Sequence, residues 1–515
     1  MTMTAASPDH EVVVVGAGFC GIGSGIRLKE SGIHDFVILE QADDIGGTWR
    51  DNTYPGVAVD IASSVYSFSF EMNPNWSRTY APGRELKQYA DHCMTKYGLR
   101  QHLRLRTRVH EARFDADVHL WRAQIEDLDT GERRELTARF VIGATGGLTQ
   151  PKAPDIPGLE NFGGVTMHTA RWDHSIQLEG KRVAVIGTGA TAVQVVPSIA
   201  PEVKQLSVFQ RTPIWCVPKP DRTISSFEQT VYRRVPVTQT AMRYLQTSIT
   251  ETVMVGIRLY YKRFPWANHA VERICLEHLK RQVPDADIRA KLTPDYGFWC
   301  KRPTYSNDYW RTFMRDNVDL VTDKIERVTK TGIRTADGRL HKVDVLVLAT
   351  GFKVFEIGNT PPFPLYGRDG TDLGHYWDAE RYQAYLGASV PRFPNLFLML
   401  GPYALTGGSW FQLVENQSRH AVRAIVEARR RGATLVEVRQ EAHDRYFAQV
   451  QHRQQGTVFF NHNCGGANSY FFDRHGDAPF LRPGLAVEAW WNARTFDLDD
   501  YRYEKTSQRA LQPVR

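Results

Sequence analysis

Two glycine-rich loops carry the first readable chemistry. Glu11 to Val15 has the apolar run of a buried parallel strand and leads into Gly16-Ala17-Gly18-Phe19-Cys20-Gly21, then a helix of small residues to about Ser31. G-x-G-x-x-G between strand and helix is a dinucleotide cradle: Gly16 makes the turn, Gly18 lets backbone approach a pyrophosphate, and Gly21 lets helix pack on strand. A second strand, Asp35 to Leu39, ends in Glu40, a carboxylate placed to accept hydrogen bonds from a ribose diol. The device recurs as Lys181 to Ile186, Gly187-Thr188-Gly189-Ala190-Thr191-Ala192, Gln205 to Gln210 and Arg211, with alanine as the third small residue. Arg211 follows Gly187 by as many residues as Glu40 follows Gly16, which predicts an acid-to-base exchange at one position. A guanidinium pairs with a ribose 2′-phosphate that a carboxylate would repel, so the second site favours NADPH over NADH.

Between the loops lies Phe162-Gly163-Gly164-Val165-Thr166-Met167-His168-Thr169-Ala170-Arg171-Trp172-Asp173. This F-x-G-x-x-x-H-x-x-x-W-D spacing resembles the fingerprint of type I Baeyer–Villiger monooxygenases, flavoenzymes that use NADPH and O2 to turn ketones into esters or lactones. Gly47 to Asp60 resembles the same family through G-x-W-x-x-x-x-Y-P-G-x-x-x-D, as does Gly297 to Pro303. The resemblance runs over nearly the whole chain. It implies FAD in the first site and NADPH/NADP+ in the second, with one oxygen atom inserted beside a ketone carbonyl by way of a flavin peroxide. It further implies that Gly47, Thr48 and Trp49 line the flavin, that Asp60 is an active-site acid, that Lys301 contacts the NADP phosphate and that Arg302 is the catalytic arginine. The fingerprint reads as a coupling linker, with His168 expected among the catalytic residues through its effect on coupling and Trp172 among those that bind cofactor. Gly187 to Thr191, Arg211 and Thr212 complete the NADP set. Two rival readings share the glycine loops: an N- or S-oxygenating flavin monooxygenase, and a non-oxygenating NADPH-flavin redox sensor. Trp172-Asp173 and the Asp60/Arg302 pair argue against the first, and coupled oxygen consumption would argue against the second.

The elements that must position these residues follow an α/β pattern of two Rossmann-like dinucleotide-binding domains. A β-rich stretch, Leu103 to Arg139, leads to Val141-Ile142-Gly143-Ala144-Thr145-Gly146, and a similar ending recurs at Val345 to Gly351. The expected organisation is a discontinuous FAD domain (1–150 and 345–515) with an inserted NADP domain (151–344), itself carrying a helical insertion at about 221–290. The resemblance weakens at Tyr403 to Trp410 and Asn463 to Tyr470, where substrate contact is expected.

The 515 residues are 42% hydrophobic, enough for two or three cores, and carry a net charge of +7 that suits anionic nucleotides. Short basic runs such as Arg429 to Arg431 read as solvated faces, so nucleic acid is not a predicted partner. The six cysteines are scattered without C-x-x-C pairs, so neither metal binding nor structural disulfides are expected. No long uncharged apolar stretch appears, which predicts a cytoplasmic protein with no membrane span. The ketone and the oligomeric state stay open at this level.

Overall fold

The computed structural model describes residues 7–506. In chain order the first layer begins with β1 (His10–Val15), α1 (Phe19–Glu30) and β2 (Phe36–Leu39), then α2 (Gly83–Lys96) and the short β3 (Leu103–Arg104). Next come β4 (Thr107–Asp115), β5 (Leu120–Asp127) and β6 (Arg133–Gly143). Val12 to Val15 are buried on both faces, as a parallel strand between helices requires. β4, β5 and β6 form an antiparallel meander, and β6 then runs parallel beside β1.

The second layer is all parallel. β7 (Val165–His168), β8 (Arg182–Ile186), β9 (Gln205–Phe209), β10 (Val318–Val321) and β11 (Val345–Leu348) lie in the order β10-β9-β8-β11-β7. α3 (Ala190–Ile199) follows β8. β11 is therefore a central strand here, flanked by β7 and β8, so the expected boundary at 345 cuts through this sheet; its chain runs on to Leu348 before leaving. The reason is register: Val345 to Leu348 hydrogen-bonds both neighbours over its full length.

Between β9 and β10 stand the helices expected there: α4 (Ser226–Arg234), α5 (Pro236–Ile249), a π-helical turn at Thr250–Val255, α6 (Gly256–Leu259), α7 (Pro265–Gln282) and α8 (Ala286–Leu292). Beyond the second sheet, β12 (Leu365–Tyr366) joins β4 and β13 (Leu396–Leu398) joins β6, returning the chain to the first sheet. α9 (Trp410–Arg431) then crosses α1 so closely that a Cβ on Gly23 would strike Val414 and Phe68. This is why α1 is built of small residues. α10 (Ala486–Thr495) packs along α9. Each sheet has its own core, one around Val12, Ile22, Ile26 and Val414, the other around Val183, Val185, Val196 and Val347.

Candidate active site

The first glycine loop has backbone that only glycine adopts without strain. Gly16 sits at φ +109°, and a Cβ there would lie 2.6 Å from Ala144 O. A Cβ on Gly21 would fall on Gly16 O. Gly18, extended at φ −75°, caps α1, and Gly47 at φ +53° leans onto it so that a Cβ on Gly47 would lie 3.2 Å from Gly18 Cα. Bare backbone at a helix N-terminus, with no side chain in the way, is the cradle a flavin dinucleotide's pyrophosphate needs. Glu40 is buried behind it; Oε2 accepts from Ala17 N–H (2.9 Å), Oε1 from Ala42 N–H (3.0 Å), and Arg50 Nη1 lies 3.2 Å away. The carboxylate braces the loop and keeps free lone pairs for a ribose hydroxyl.

The second loop repeats this geometry: Gly187 sits at φ +119° and Gly189 caps α3 at φ −72°. Thr188 Oγ1 donates to Thr212 O (2.6 Å), tying the loop to the end of β9. The expected equivalence of Arg211 with Glu40 does not hold. Gly16 N–H bonds Leu39 O and Gly187 N–H bonds Phe209 O, so the residue matching Glu40 is Gln210, and Arg211 stands one further on. The path from Gly187 to its partner strand is one residue shorter, and equal sequence counts conceal the offset. Gln210 is buried and neutral, donating to Lys291 O (2.7 Å). Arg211 is exposed into the cavity. Burial, and after it the charge of Arg211, lowers the Lys301 ammonium to about 8. Two cations facing one space beside open helix N–H groups fit the phosphates of NADP, the 2′-phosphate included.

The second loop and the Thr48–Asp60 segment of the first half line one cavity of about 1710 Å³. Thr48, Trp49 and Asp60 line it from the first side, Thr188 to Thr191, Arg211 and Thr212 from the second, and Lys301 and Arg302 from between. Gly16, Gly18, Gly21, Glu40 and Gly47 stay outside its lining. Arg302 grips Asp60 through two nitrogens, Nη2 to Oδ1 at 2.9 Å and to Oδ2 at 2.7 Å, and Nε to Oδ2 at 3.2 Å. The Asp60 charge holds the guanidinium protonated far above its ordinary range, against the pull of burial. About a third of the Arg302 side chain still opens to the cavity (34%). Tyr66, Tyr305 and Tyr470 share the lining, and burial raises the pKa of each, so they are neutral phenols. The sequence motifs do not single out Tyr305, or Gln194 on α3, which receives Tyr54 Oη–H (3.0 Å) and donates to Ala58 O (2.9 Å), joining the Gly47–Asp60 loop to the second sheet's helix. Gln194 was detectable only as a polar residue on a helix whose neighbours are apolar.

The fingerprint is less a linker than expected, since its Val165–His168 is the edge strand β7. His168 lies outside the cavity; Nδ1 accepts from Ala170 N–H (3.1 Å), Nε2 is buried without a partner, and burial lowers its pKa. Trp172 packs on the second core and does not line the cavity. Beyond it, His174 Nε2 meets Thr53 Oγ1 (2.8 Å), so the stretch does touch the flavin loop.

Cys300 and Cys464 form a disulfide (Cα–Cα 5.0 Å), contrary to the expectation from scattered cysteines. Sequence spacing exposes short-range pairs, whereas these two are brought together across 164 residues by folding. The bond anchors the segment before Lys301 and Arg302 to the loop carrying Asn468, which donates to Thr212 Oγ1 (2.8 Å), and Tyr470. Of the other divergent stretch, Leu405, Gly407, Gly408 and Trp410 line the cavity, while Tyr403 is buried away from it, accepting from Gln454 (2.9 Å). Near the disulfide, His269, Glu272 and His462 are close enough to share a metal ion. Asn463 N–H bonds His462 Nδ1 (2.8 Å), which leaves Nε2 as the donor to Glu272 (2.9 Å). Burial opposes ionisation of Glu272, but hydrogen bonds from His462, Phe298 N–H and His269 outweigh it and lower the carboxyl to about 2.

Comparisons with known proteins agree with this geometry. Residues 13–253 match the pyridine nucleotide-disulphide oxidoreductase family. A Baeyer–Villiger monooxygenase of Pseudomonas aeruginosa is 37% identical over 512 residues, spanning 98% of this chain and 94% of the relative. The structure of OTEMO in complex with FAD and NADP is similar at a TM-score of 0.84 and 27% identity, covering 97% of this chain and 100% of that one. Cyclohexanone monooxygenase from Rhodococcus sp. bound to NADP+ is similar at a TM-score of 0.84 and 29% identity, with the same coverage.

Proposed function

The chain belongs to the Baeyer–Villiger monooxygenase family, and from that premise we propose how its own residues carry the reaction. It is an FAD- and NADPH-dependent monooxygenase that inserts one oxygen atom of O2 beside a ketone carbonyl, giving an ester or lactone. When bound, FAD with NADPH as its reductant would supply the oxygen activation. The protein's part is to bind, orient and hold charge.

Gly16, Gly18, Gly21, Glu40 and Gly47 would hold FAD, with Thr48 and Trp49 against the cavity. Gly187 to Thr191 and Thr212 would hold NADPH, with Arg211 and Lys301 available to its phosphates. Arg302 is the catalytic group. Oxygen insertion proceeds through negative charge on the attacking oxygen, and a fixed guanidinium facing that charge stabilises it without reorganising at the moment of reaction. Asp60 keeps Arg302 aimed, and its carboxylate lies where a low-dielectric, tyrosine-lined wall strengthens the pair. His168 works at a distance, ordering the turn that joins β7 to the flavin loop, and so acts on coupling between reduction and oxygenation. The observation that carries this reading is the bidentate Asp60–Arg302 pair opening onto a cavity lined by the second glycine loop on one side and by the Thr48–Asp60 segment on the other.

The test is product stoichiometry. Holoenzyme given NADPH, O2 and a panel of linear and cyclic ketones should form one ester per NADPH with some member. Hydrogen peroxide in place of ester for every ketone, amine and sulfide tried would favour the redox-sensor reading; oxygenated amine or sulfide without ester would favour the sister class.

A further inference from the structure

Among the described residues, every exposed large apolar side chain except Ile357 and Val426 belongs either to residues 227–276 or to α10. α5 is the centre of this concentration, and its amphipathicity is reversed. Its single charged residue, Arg243, is buried and turned inward, donating to Ser64 O (2.8 Å) and Ser67 O (2.9 Å), and Gln239 donates inward to Asn73 O (2.7 Å). Outward stand Val237 (68% exposed), Tyr244 (69%) and Leu245 (56%). At 100° per residue all three are turned well away from Arg243, Leu245 the furthest. Phe264 and Trp266 extend the patch at the start of α7. Ala486 N–H bonds Glu251 Oε2 (2.9 Å), which brings Val487 and the start of α10 beside the π-helical turn.

Between 226 and 266 the exposed charges are positive, and the flanking acids Glu277 and Glu488 are paired with Arg281 and Arg453. Arg233, Arg234, Lys262 and Arg263 are exposed beside this face. The only acids between 226 and 266 are occupied: Glu228 by Arg222, Glu251 by the Ala486 N–H. A second copy of this chain would set these cations against one another, whereas an anionic bilayer would neutralise them while covering the apolar side chains. Met242, Gln246 and Ile249 of the same helix line the cavity, as does Met254 of the π-helical turn, and Ile249 is at once cavity-lining and 53% exposed. One wall thus separates the reaction space from the apolar surface.

We propose that this face rests on an anionic phospholipid surface and that the cavity behind it receives apolar, membrane-partitioned ketones; the second half rests on the ketone reading above. A side chain such as Trp266 or Leu245 gains by leaving water for the headgroup boundary, and each nearby cation adds attraction to anionic lipid. Ile249 and Met254 are the residues past which such a substrate would move.

Flotation of the holoenzyme with vesicles tests it. Binding is expected to phosphatidylcholine mixed with phosphatidylglycerol, weakening with salt and weak to phosphatidylcholine alone. Arg233→Gln with Arg234→Gln should weaken it by about fivefold per charge removed. Tyr244→Ser with Leu245→Ser should lower binding to both vesicle types while leaving turnover of a small water-soluble ketone unchanged, because neither residue lines the cavity. A long-chain ketone dissolved in the vesicles should be oxidised faster by the wild type than by that variant. Failure to float with either vesicle would overturn the docking, as would self-association abolished by the same substitutions in the absence of flotation. Equal rates on the vesicle-borne ketone would overturn the delivery route. Flotation without oxidation of any ketone would support the docking and count against the ketone reading instead.

Discussion

The loop at Gly16 and the loop at Gly187 differ far less in backbone than in what surrounds them. The turning glycines sit at φ +109° and +119°, and the capping glycines at φ −75° and −72°. The first loop is closed in by Glu40, Arg50 and Gly47, a carboxylate with its partners already in place. At the second, the carboxylate position holds neutral Gln210, a Cβ on Gly189 would meet nothing within 4 Å, and two unneutralised cations face the space. The first site is enclosed by partners already in place, the second is open and cationic. The backbone is nearly the same in both, so the difference between the sites lies in side-chain charge and crowding rather than in the loop itself.

The contact between the halves is the most sensitive place to break this comparison. Arg302→Ala should cut ester formation by about 10²–10³ while the protein still binds FAD and still oxidises NADPH, releasing hydrogen peroxide. Asp60→Ala should act on the same steps, and the double variant should lose less than the two separate losses combined. Product analysis beside NADPH consumption reads both, and full ester yield in Arg302→Ala would remove that residue from the chemistry.

A smaller effect separates the two binding modes. Arg211→Ala should raise the NADPH KM by roughly tenfold to a hundredfold, the worth of a charge-assisted hydrogen bond, with kcat nearly unchanged and FAD content normal. Gln210→Glu plants the first site's carboxylate in the second and should move preference towards NADH. An unaltered NADPH/NADH ratio in both variants would mean that these positions do not read the 2′-phosphate.

pH sharpens the same contrast. Lys301, lowered to about 8, is charged below that pH and neutral above it, so phosphate affinity is strongest on the acid side and falls as pH rises through 8. The NADPH KM should climb by up to about tenfold per pH unit above this point, as loss of one required proton dictates. Lys301→Met should flatten the rise. The smallest change expected is Ala192→Gly, which restores the third glycine to the second loop. It should cost about 1 kcal/mol in helix stability, seen as a lower denaturation midpoint with NADPH kinetics preserved.

Much of this was readable along the chain, because it depends on neighbours in sequence. Positive-φ turns at Gly16 and Gly187 demand glycine whatever the tertiary context, and Val12 to Val15 and Val183 to Ile186 are apolar because both faces of a parallel strand are covered. The helices of 226–292 follow from local periodicity, and the family motifs named Asp60, Lys301 and Arg302. Counting failed where it assumed equal connections: one residue fewer before β9 moved Arg211 past the position of Glu40.

What only the tertiary structure decided is which distant residues share a space. Asp60 meets Arg302 across 242 residues, Cys300 meets Cys464 across 164, and Gln194 reaches Ala58 across 136. His168 and Trp172, prominent in sequence, stand outside the cavity, while Tyr305 enters its wall. The physical reason is that strand periodicity and turn conformation are set by a few adjacent dihedrals, whereas a cavity is set by how two sheets and a layer of helices close on one another. That closure is determined by the summed packing of whole faces, and no short stretch of sequence contains it.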